Sequence, residues 1–331
     1  MTGSPTVRDV AKQAGVSVAT VSRSLNNQPG ISQDTRQRVF NAASQLGYDL
    51  GNLRQSRMKR VMFLYRRQAQ TVSGNPFYSH VLHGVEDACR AENLGLSFST
   101  VSSGDPLPEL IARQEAEGLV CAGYFEPEQL RQIQGLGLPT VLVDHWFPTL
   151  PSVNSDNFGG AYLLTEYLIK QGFRRIAFIS GPQQHYSIAQ RLQGYRHALL
   201  AYGRSPESAL EVSRSPLDDE EGTDSAVRQL LALPERPDAI VAYNDATALR
   251  TLRICQVLGL SVPHDMAVVG FDDLASASVS FPPLTTIRVD KEQLGVRGVE
   301  FLLNRSGETT QLILPVSLIV RESALRTASS D

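Results

Sequence analysis

The sequence predicts a small all-α head followed by an α/β core built on parallel sheets, and three observations lead there. Residues 6–25 read as two short helices around a glycine turn. From residue 61 onward, short apolar runs alternate with longer amphipathic stretches, the pattern of strands and helices in a doubly wound fold. The charge also divides near residue 60: residues 1–60 hold nine Lys or Arg against three Asp or Glu, whereas the remainder holds 22 against 31. A cationic head on an anionic body offers one end to phosphate and lets the other repel it.

In the head, Val7, Val10, Ala11 and Ala14 fall at i, i+3, i+4 and i+7, one apolar helical stripe, with Thr6 as its N-cap and Gly15 as its end. Ser17 caps a second helix in which Val21 and Leu25 point inward while Ala19 and Arg23 share the opposite face. Ser32 starts a third helix, whose stripe of Val39, Ala42, Ala43 and Leu46 ends at Gly47. A helix-turn-helix lays such an outer face in the major groove. Plain packing also produces amphipathic helix pairs, and the charge division is what favours DNA.

About 270 residues follow, enough for two lobes with cores of their own. Strands are expected at 61–65, 96–101, 119–122, 140–143, 176–180, 240–242 and 267–271, and helices at 77–93, 157–171, 186–202, 219–233, 244–258 and 291–304. The stretch 144–157, containing Pro and Asn, reads as a break where the chain crosses between lobes. No apolar run is long enough to cross a bilayer and no basic-then-apolar leader follows Met1, so a cytoplasmic protein with no membrane partner is expected. Cys89, Cys121 and Cys255 sit apart in apolar contexts and read as buried thiols; no metal or cofactor is expected. Residues 1–5 and 326–331 are small and polar and read as frayed ends.

In open parallel sheets, ligands bind at the carboxyl ends of strands. Asp144 follows Val-Leu-Val, Asn244 and Asp245 follow Ile-Val-Ala-Tyr, and Asp272 and Asp273 follow Val-Val-Gly-Phe. Arg191 opens Arg-Leu-Gln-Gly-Tyr. Carboxylates and an amide converging with one guanidinium can satisfy sugar hydroxyls, each of which donates and accepts. One strand-end Asp is commonly a helix cap; several in corresponding positions point to a site. There is no G-x-x-x-x-G-K-[ST] or G-x-S-x-G, and Gly135-Leu-Gly-Leu-Pro is too short for a dinucleotide loop, so no enzyme is expected.

These residues identify a resemblance. With Asp-Val-Ala, Ala-Gly-Val-Ser and Ala-Thr-Val-Ser-Arg in 7–26, Asn-Pro-Phe-Tyr at 75–78, Arg-Leu-Gln-Gly-Tyr at 191–195, Asn244-Asp245, Gly-Phe-Asp-Asp at 270–273 and Pro-Pro-Leu-Thr-Thr-Ile at 282–287, the chain resembles the lactose/galactose repressor family along essentially its whole length. The resemblance implies a homodimer with a helix-turn-helix domain (1–49), a hinge (50–60) and an effector-binding core (61–331) of two Rossmann-like lobes, similar to a periplasmic sugar-binding protein. Lobe 1 would comprise about 61–156 and 290–317, and lobe 2 about 157–289 and 318–331.

Carried over by motif, Val18, Ala19 and Arg23 would face the bases, with core packing the alternative for Val18. Thr6, Ser17, Thr20, Ser22, Asn26, Ser32, Thr35 and Tyr48 would meet phosphates. The hinge departs from the family: Tyr48 is followed by Asp-Leu-Gly-Asn-Leu-Arg-Gln-Ser-Arg-Met-Lys-Arg, without the usual proline. Leu53 or Met58 is then the candidate minor-groove wedge, with Arg54, Arg57, Lys59 and Arg60 on phosphates, and a solvated linker is the alternative. The effector site would be Asp144, Arg191, Asn244 and Asp272, walled by Asn75, Pro76, Phe77 or Tyr78, with Trp146 either stacking on a pyranose or simply packing. Val18-Ala19 is the pair of galactose repressors, and the segments around 75–78 and 280–288 are most similar to the repressor of the evolved β-galactosidase operon. The implied function is a repressor released from a palindromic double-stranded operator by a small sugar, a galactoside first. A corepressor-dependent regulator and a DNA-binding sugar-modifying enzyme are the alternatives.

Overall fold

The computed structural model describes residues 5–25, 30–48, 58–66, 76–102, 104–214, 219–304 and 311–326. The chain divides into two compact units, residues 1–59 and 60–331.

The first unit packs helices α1 (Val7–Ala14), α2 (Val18–Leu25) and α3 (Gln33–Gln45) around Val10, Ala11, Ala14, Val21, Leu25, Val39, Ala42 and Ala43. The expected stripes are therefore the observed core, except that Val7 and Leu46 are only partly buried against it. Gly15 closes α1 at φ 65°, the left-handed conformation that glycine adopts without a Cβ penalty. Ser17 Oγ accepts from the Thr20 N–H at 3.0 Å and Ser32 Oγ from the Thr35 N–H at 3.2 Å, which caps α2 and α3. Thr6 differs from expectation in detail: its N–H and hydroxyl both donate to the Asp9 carboxylate, at 2.7 and 2.6 Å.

In the second unit, a six-stranded parallel sheet holds β1 (Arg60–Arg66), β2 (Gly95–Val101), β3 (Gly118–Ala122), β4 (Thr140–Val143), β5 (Ser152–Ser155) and β11 (Gln311–Leu314) in the order β11-β5-β4-β3-β1-β2. A four-stranded parallel sheet holds β6 (Ile176–Ser180), β7 (Glu211–Ser213), β8 (Ala239–Ala242) and β9 (Ala267–Val269) in the order β7-β6-β8-β9. An antiparallel pair, β10 (Thr286–Arg288) and β12 (Ser317–Ile319), completes the strands. Between the strands run α4 (Pro76–Ala91), α5 (Leu107–Arg113), α6 (Pro127–Gly135), α7 (Asn157–Lys170), α8 (Tyr186–Ala201), α9 (Asp219–Leu231), α10 (Asp245–Val257), α11 (Ala275–Val279) and α12 (Lys291–Leu303). Strands β3, β4, β6 and β8 are buried throughout, because helices cover both faces, and so they read as unbroken apolar runs.

The chain leaves the six-stranded sheet after β5, returns with α12, which packs over β3, β4 and β5, and leaves again after β11. The stretch expected as a plain break contains β5, and its correction has a physical reason. Ser152, Asn154 and Ser155 are buried but polar, and Asn154 Nδ2 donates to the His145 carbonyl at 3.0 Å. A strand that serves its neighbouring loop carries no apolar signature. Arg60, expected in the hinge, opens β1 and is ion-paired with Glu115. Arg326, expected to fray, lies over the Phe173 ring at 4.2 Å. Leu53, Arg54 and Arg57 fall outside the described residues, and Met58 is half-buried.

Helices α7 and α8 meet backbone to backbone at Gly194, where an added Cβ would lie 2.2 Å from the Phe158 carbonyl oxygen. Gly194→Ala is expected to force the helices apart at a cost of about 1–3 kcal/mol. Urea denaturation checks this, and an unchanged midpoint would show that the crossing yields freely.

Candidate functional site

On α2, Val18 is 46% exposed and Ala19 and Arg23 are also exposed, while Val21, Ser24 and Leu25 are buried. The three side chains expected to read bases therefore share an open helix face, and the core alternative for Val18 is removed. Ser17 and Thr20 sit at the start of that helix, with their hydroxyls 2.8 Å apart. Thr6 and Ser32 are exposed, and Ser22, Thr35 and Tyr48 half-buried. Asn26 lies outside the described residues.

A second polar cluster forms where the ends of the two parallel sheets meet. From the six-stranded side, Tyr78 Oη donates to Asp144 Oδ2 at 2.8 Å. From the four-stranded side, the Ser187 hydroxyl donates to Asp144 Oδ1, and His185 Nε2 lies 3.7 Å from Oδ2. Arg191, on α8, donates through Nε to Asn157 Oδ1 at 2.8 Å and through Nη1 to the Tyr243 carbonyl at 2.6 Å. Its Nη2 lies 3.4 Å from Asp272 Oδ1, and its guanidinium covers the Phe271 ring at 3.8 Å. Lys291 Nζ donates to the Asp272 carbonyl. Asp144 and Asp272 take φ of 57° and 120°, conformations that side-chain-bearing residues rarely adopt and that concentrate at ligand sites.

Burial governs the protonation of this cluster. It raises the Tyr78 hydroxyl well above its ordinary pKa, and the Asp144 charge adds to the effect, so Tyr78 stays a donor. Burial pushes the His185 pKa down, Arg191 adds to that and Asp144 opposes it. Burial also raises the Asp272 carboxyl, with Arg191 and Lys291 opposing. Among the described residues, the buried His185 Nδ1 has no hydrogen-bond partner, and buried Asp272 Oδ1 has only the 3.4 Å contact with Arg191. Such groups are costly unless a ligand or water meets them.

His145 packs beside this cluster, its Nε2 3.2 Å from the Phe125 carbonyl. Burial lowers its pKa to about 4, with His185 acting in the same sense and the Phe125 carbonyl and Asp144 opposing. A free imidazole titrates near about 6.5. Between those values the unfolded chain binds a proton that the folded chain refuses. The His145 contribution is thus complete above pH 6.5 and is lost as pH falls toward 4, by about 3 kcal/mol in all. Comparing denaturation of wild type and His145→Gln at pH 7 and pH 5 should show a steeper acid loss in the wild type. Equal losses would mean that His145 protonates freely in the folded state.

The remaining expected residues are placed as follows. Asn244 Oδ1 accepts from the Thr247 N–H at 2.9 Å and so caps α10. Phe77 is buried at the base of α4, Pro76 is exposed at its start, and Asn75 lies outside the described residues. Trp146, 43% exposed, stacks on Tyr186 with ring centroids 6.3 Å apart. Sequence reasoning missed Asn157, His185, Ser187 and Lys291. The strand-end rule, applied to the apolar run at 176–180, would have pointed to His185 and Ser187.

Comparison with known proteins agrees with this architecture. Residues 6–49 match the family model for bacterial regulatory proteins of the lacI family, and residues 165–324 match that for a periplasmic binding protein-like domain. The chain is 33% identical over 342 residues to the HTH-type transcriptional regulator CelR of Thermobifida fusca, covering 96% of this chain and 98% of that protein. It is 33% identical over 314 residues to the ribose operon repressor of Escherichia coli K12, covering 92% and 94%. A solved CelR–cellobiose complex aligns with a TM-score of 0.74 at 32% identity, over 96% of this chain and 99% of that one. The lac repressor dimer bound to operator and the anti-inducer ONPF gives 0.71 at 25% identity, over 98% and 100%. The galactoside expectation is not supported by these relatives. Among the described residues, no helix is long and apolar enough to cross a membrane. A helix-turn-helix head and a periplasmic-binding-like core, matched together at one-third identity over nearly the full length, show that the chain belongs to the lacI family of bacterial regulatory proteins, DNA-binding transcriptional regulators rather than enzymes.

Proposed function

We propose that the chain is a homodimeric repressor that reads a palindromic operator with Val18, Ala19 and Arg23 and releases it when a neutral sugar occupies the Asp144–Arg191–Asp272 cluster. The scheme of a head (1–49), a hinge (50–60) and a two-lobed core (61–331) belongs to the same reading. One observation supports the ligand class above others: among the described residues of the cluster, the Arg191 guanidinium is opposed by Asp272 and tied to Asn157 and Tyr243, and the Lys291 ammonium is taken up by backbone carbonyls, so both cations are already engaged. What is left over is the His185 imidazole nitrogen, beside an Asp272 oxygen held by a 3.4 Å contact to Arg191, and both suit sugar hydroxyls. The half-exposed Trp146–Tyr186 pair offers an aromatic surface for a pyranose face. The 33% identity to CelR, a protein solved with cellobiose, makes a β-linked glucose disaccharide the first candidate.

Binding would act as a population shift, with coupling set by the ligand's differential affinity for two core arrangements, typically about 1–3 kcal/mol. Thermal-shift measurement of the full chain with cellobiose, ribose, galactosides and purine bases tests the ligand class, because a ligand of the folded state raises its melting temperature. A sugar that stabilises the protein and weakens operator binding is the expected result. Stabilisation by a base alone, with tighter operator binding, would replace this reading with corepression.

A further inference from the structure

Away from the cluster just described, α4 presents His80 and His83 one turn apart, facing Glu292 in the first turn of α12. We propose that His80, His83 and Glu292 bind one borderline divalent cation of the Zn²⁺ class, which bridges α4 and α12. One ligand atom from each residue lies within 4.8 Å of the other two. His80 Nδ1 is 3.5 Å from a Glu292 carboxylate oxygen, and the two imidazole rings are 6.1 Å apart at 81°. Tetrahedral nitrogen and oxygen ligands with bonds of about 2.0–2.1 Å sit roughly 3.3 Å from one another, so side-chain rotation alone closes the set.

The backbone beneath these side chains is fixed. A Cβ on Gly84 would fall 2.0 Å from the Glu292 carbonyl oxygen, and one on Gly295 would fall 2.1 Å from that of Val81. Asp290 caps α12 by accepting from the Gln293 N–H at 3.0 Å, which sets the direction in which Glu292 leaves the helix. The two helices therefore hold the three ligands in a frame that cannot spread. Two imidazoles with one carboxylate select zinc, cobalt or nickel over calcium or magnesium, which take all-oxygen sets. All three side chains reach solvent, so water completes the fourth position. A simple His80–Glu292 ion pair explains two of these residues and leaves the approach of His83 unexplained.

Full-length protein without an affinity tag, stripped with chelator, is titrated with Co²⁺ and then Zn²⁺. The expected result is one saturable Co²⁺ per chain, with the intense visible absorption of a tetrahedral nitrogen/oxygen site, displaced by Zn²⁺. His264→Ala, an exposed histidine elsewhere, should keep that band; His80→Ala, His83→Ala and Glu292→Gln should each lose it while melting like the wild type in chelator. Absence of saturable binding at micromolar metal overturns the proposal. So does binding that survives all three substitutions. Because the substitutions lie on an exposed face, sugar response and operator binding are scored in the same samples, and loss of metal with both retained separates this site from the effector reading.

Discussion

Arg191→Ala is expected to lower the stability of the core by about 3–5 kcal/mol. The residue is 5% exposed, and its side chain serves four neighbours at once: the Asn157 amide oxygen, the Tyr243 carbonyl, the Asp272 carboxylate and the Phe271 ring. Removing it strands a buried carboxylate and two buried acceptors, and that stranding dominates the loss. Arg191→Lys should recover part of the charge term but neither the planar stacking on Phe271 nor the two directed hydrogen bonds. Urea denaturation of the three proteins measures the series. A loss below about 1 kcal/mol for Arg191→Ala would show that Asp272 is neutralised by other means. Below its lowered melting point, the alanine variant should still bind operator but no longer release it on addition of sugar.

Arg23→Ala should act on the other unit and leave stability alone, because the side chain is exposed on α2. A guanidinium that meets guanine O6 and N7 together contributes about 1–3 kcal/mol per base contact, and a twofold pair of heads counts it twice. Specific binding should therefore weaken by roughly two to four powers of ten while binding to random duplex changes little. Titration of operator and random duplexes at two salt concentrations measures both. Equal weakening on the two duplexes, with a salt slope reduced by about two, one for each head, would place Arg23 on a phosphate instead.

The parts of the fold legible in the sequence are those where burial is two-sided or periodic. The stripes of α1, α2 and α3 and the runs of β1, β3, β4, β6 and β8 announce themselves because packing demands apolar side chains there. The strands that escaped notice are short, edge-placed or polar: β5 is Ser-Val-Asn-Ser, β7, β10 and β12 are three residues long, and β11 flanks the sheet. Helices α5 and α6, which were not among those expected, carry proline at their starts, where it is well placed because the N–H it lacks would go unused in a first turn. In the candidate site, Asp144, Arg191 and Asp272 were legible from strand ends and motif. His185 and Ser187 lie just beyond β6 and were open to the same strand-end rule, but their contact with Asp144, about forty residues away, forms only through the tertiary fold. No local pattern records the left-handed backbone at Asp144 and Asp272 either.

The path of the chain between its two sheets also bears on how the protein is made. Residues 60–155 supply five of the six strands of the larger sheet, yet β11, the outer neighbour of β5, and α12, which roofs β3 to β5, are encoded some 140 to 160 residues later. On the ribosome the uncovered strands of the half begun first must wait while the smaller sheet is made, and neither half is finished before residues 291–326 emerge, because β12 and the residues after it pack on the smaller-sheet side. A nascent chain stalled before residue 290 would hold a larger sheet without its roof and edge strand and a smaller one without the segment that pairs with β10, which makes that interval the period when chaperones matter most to this protein.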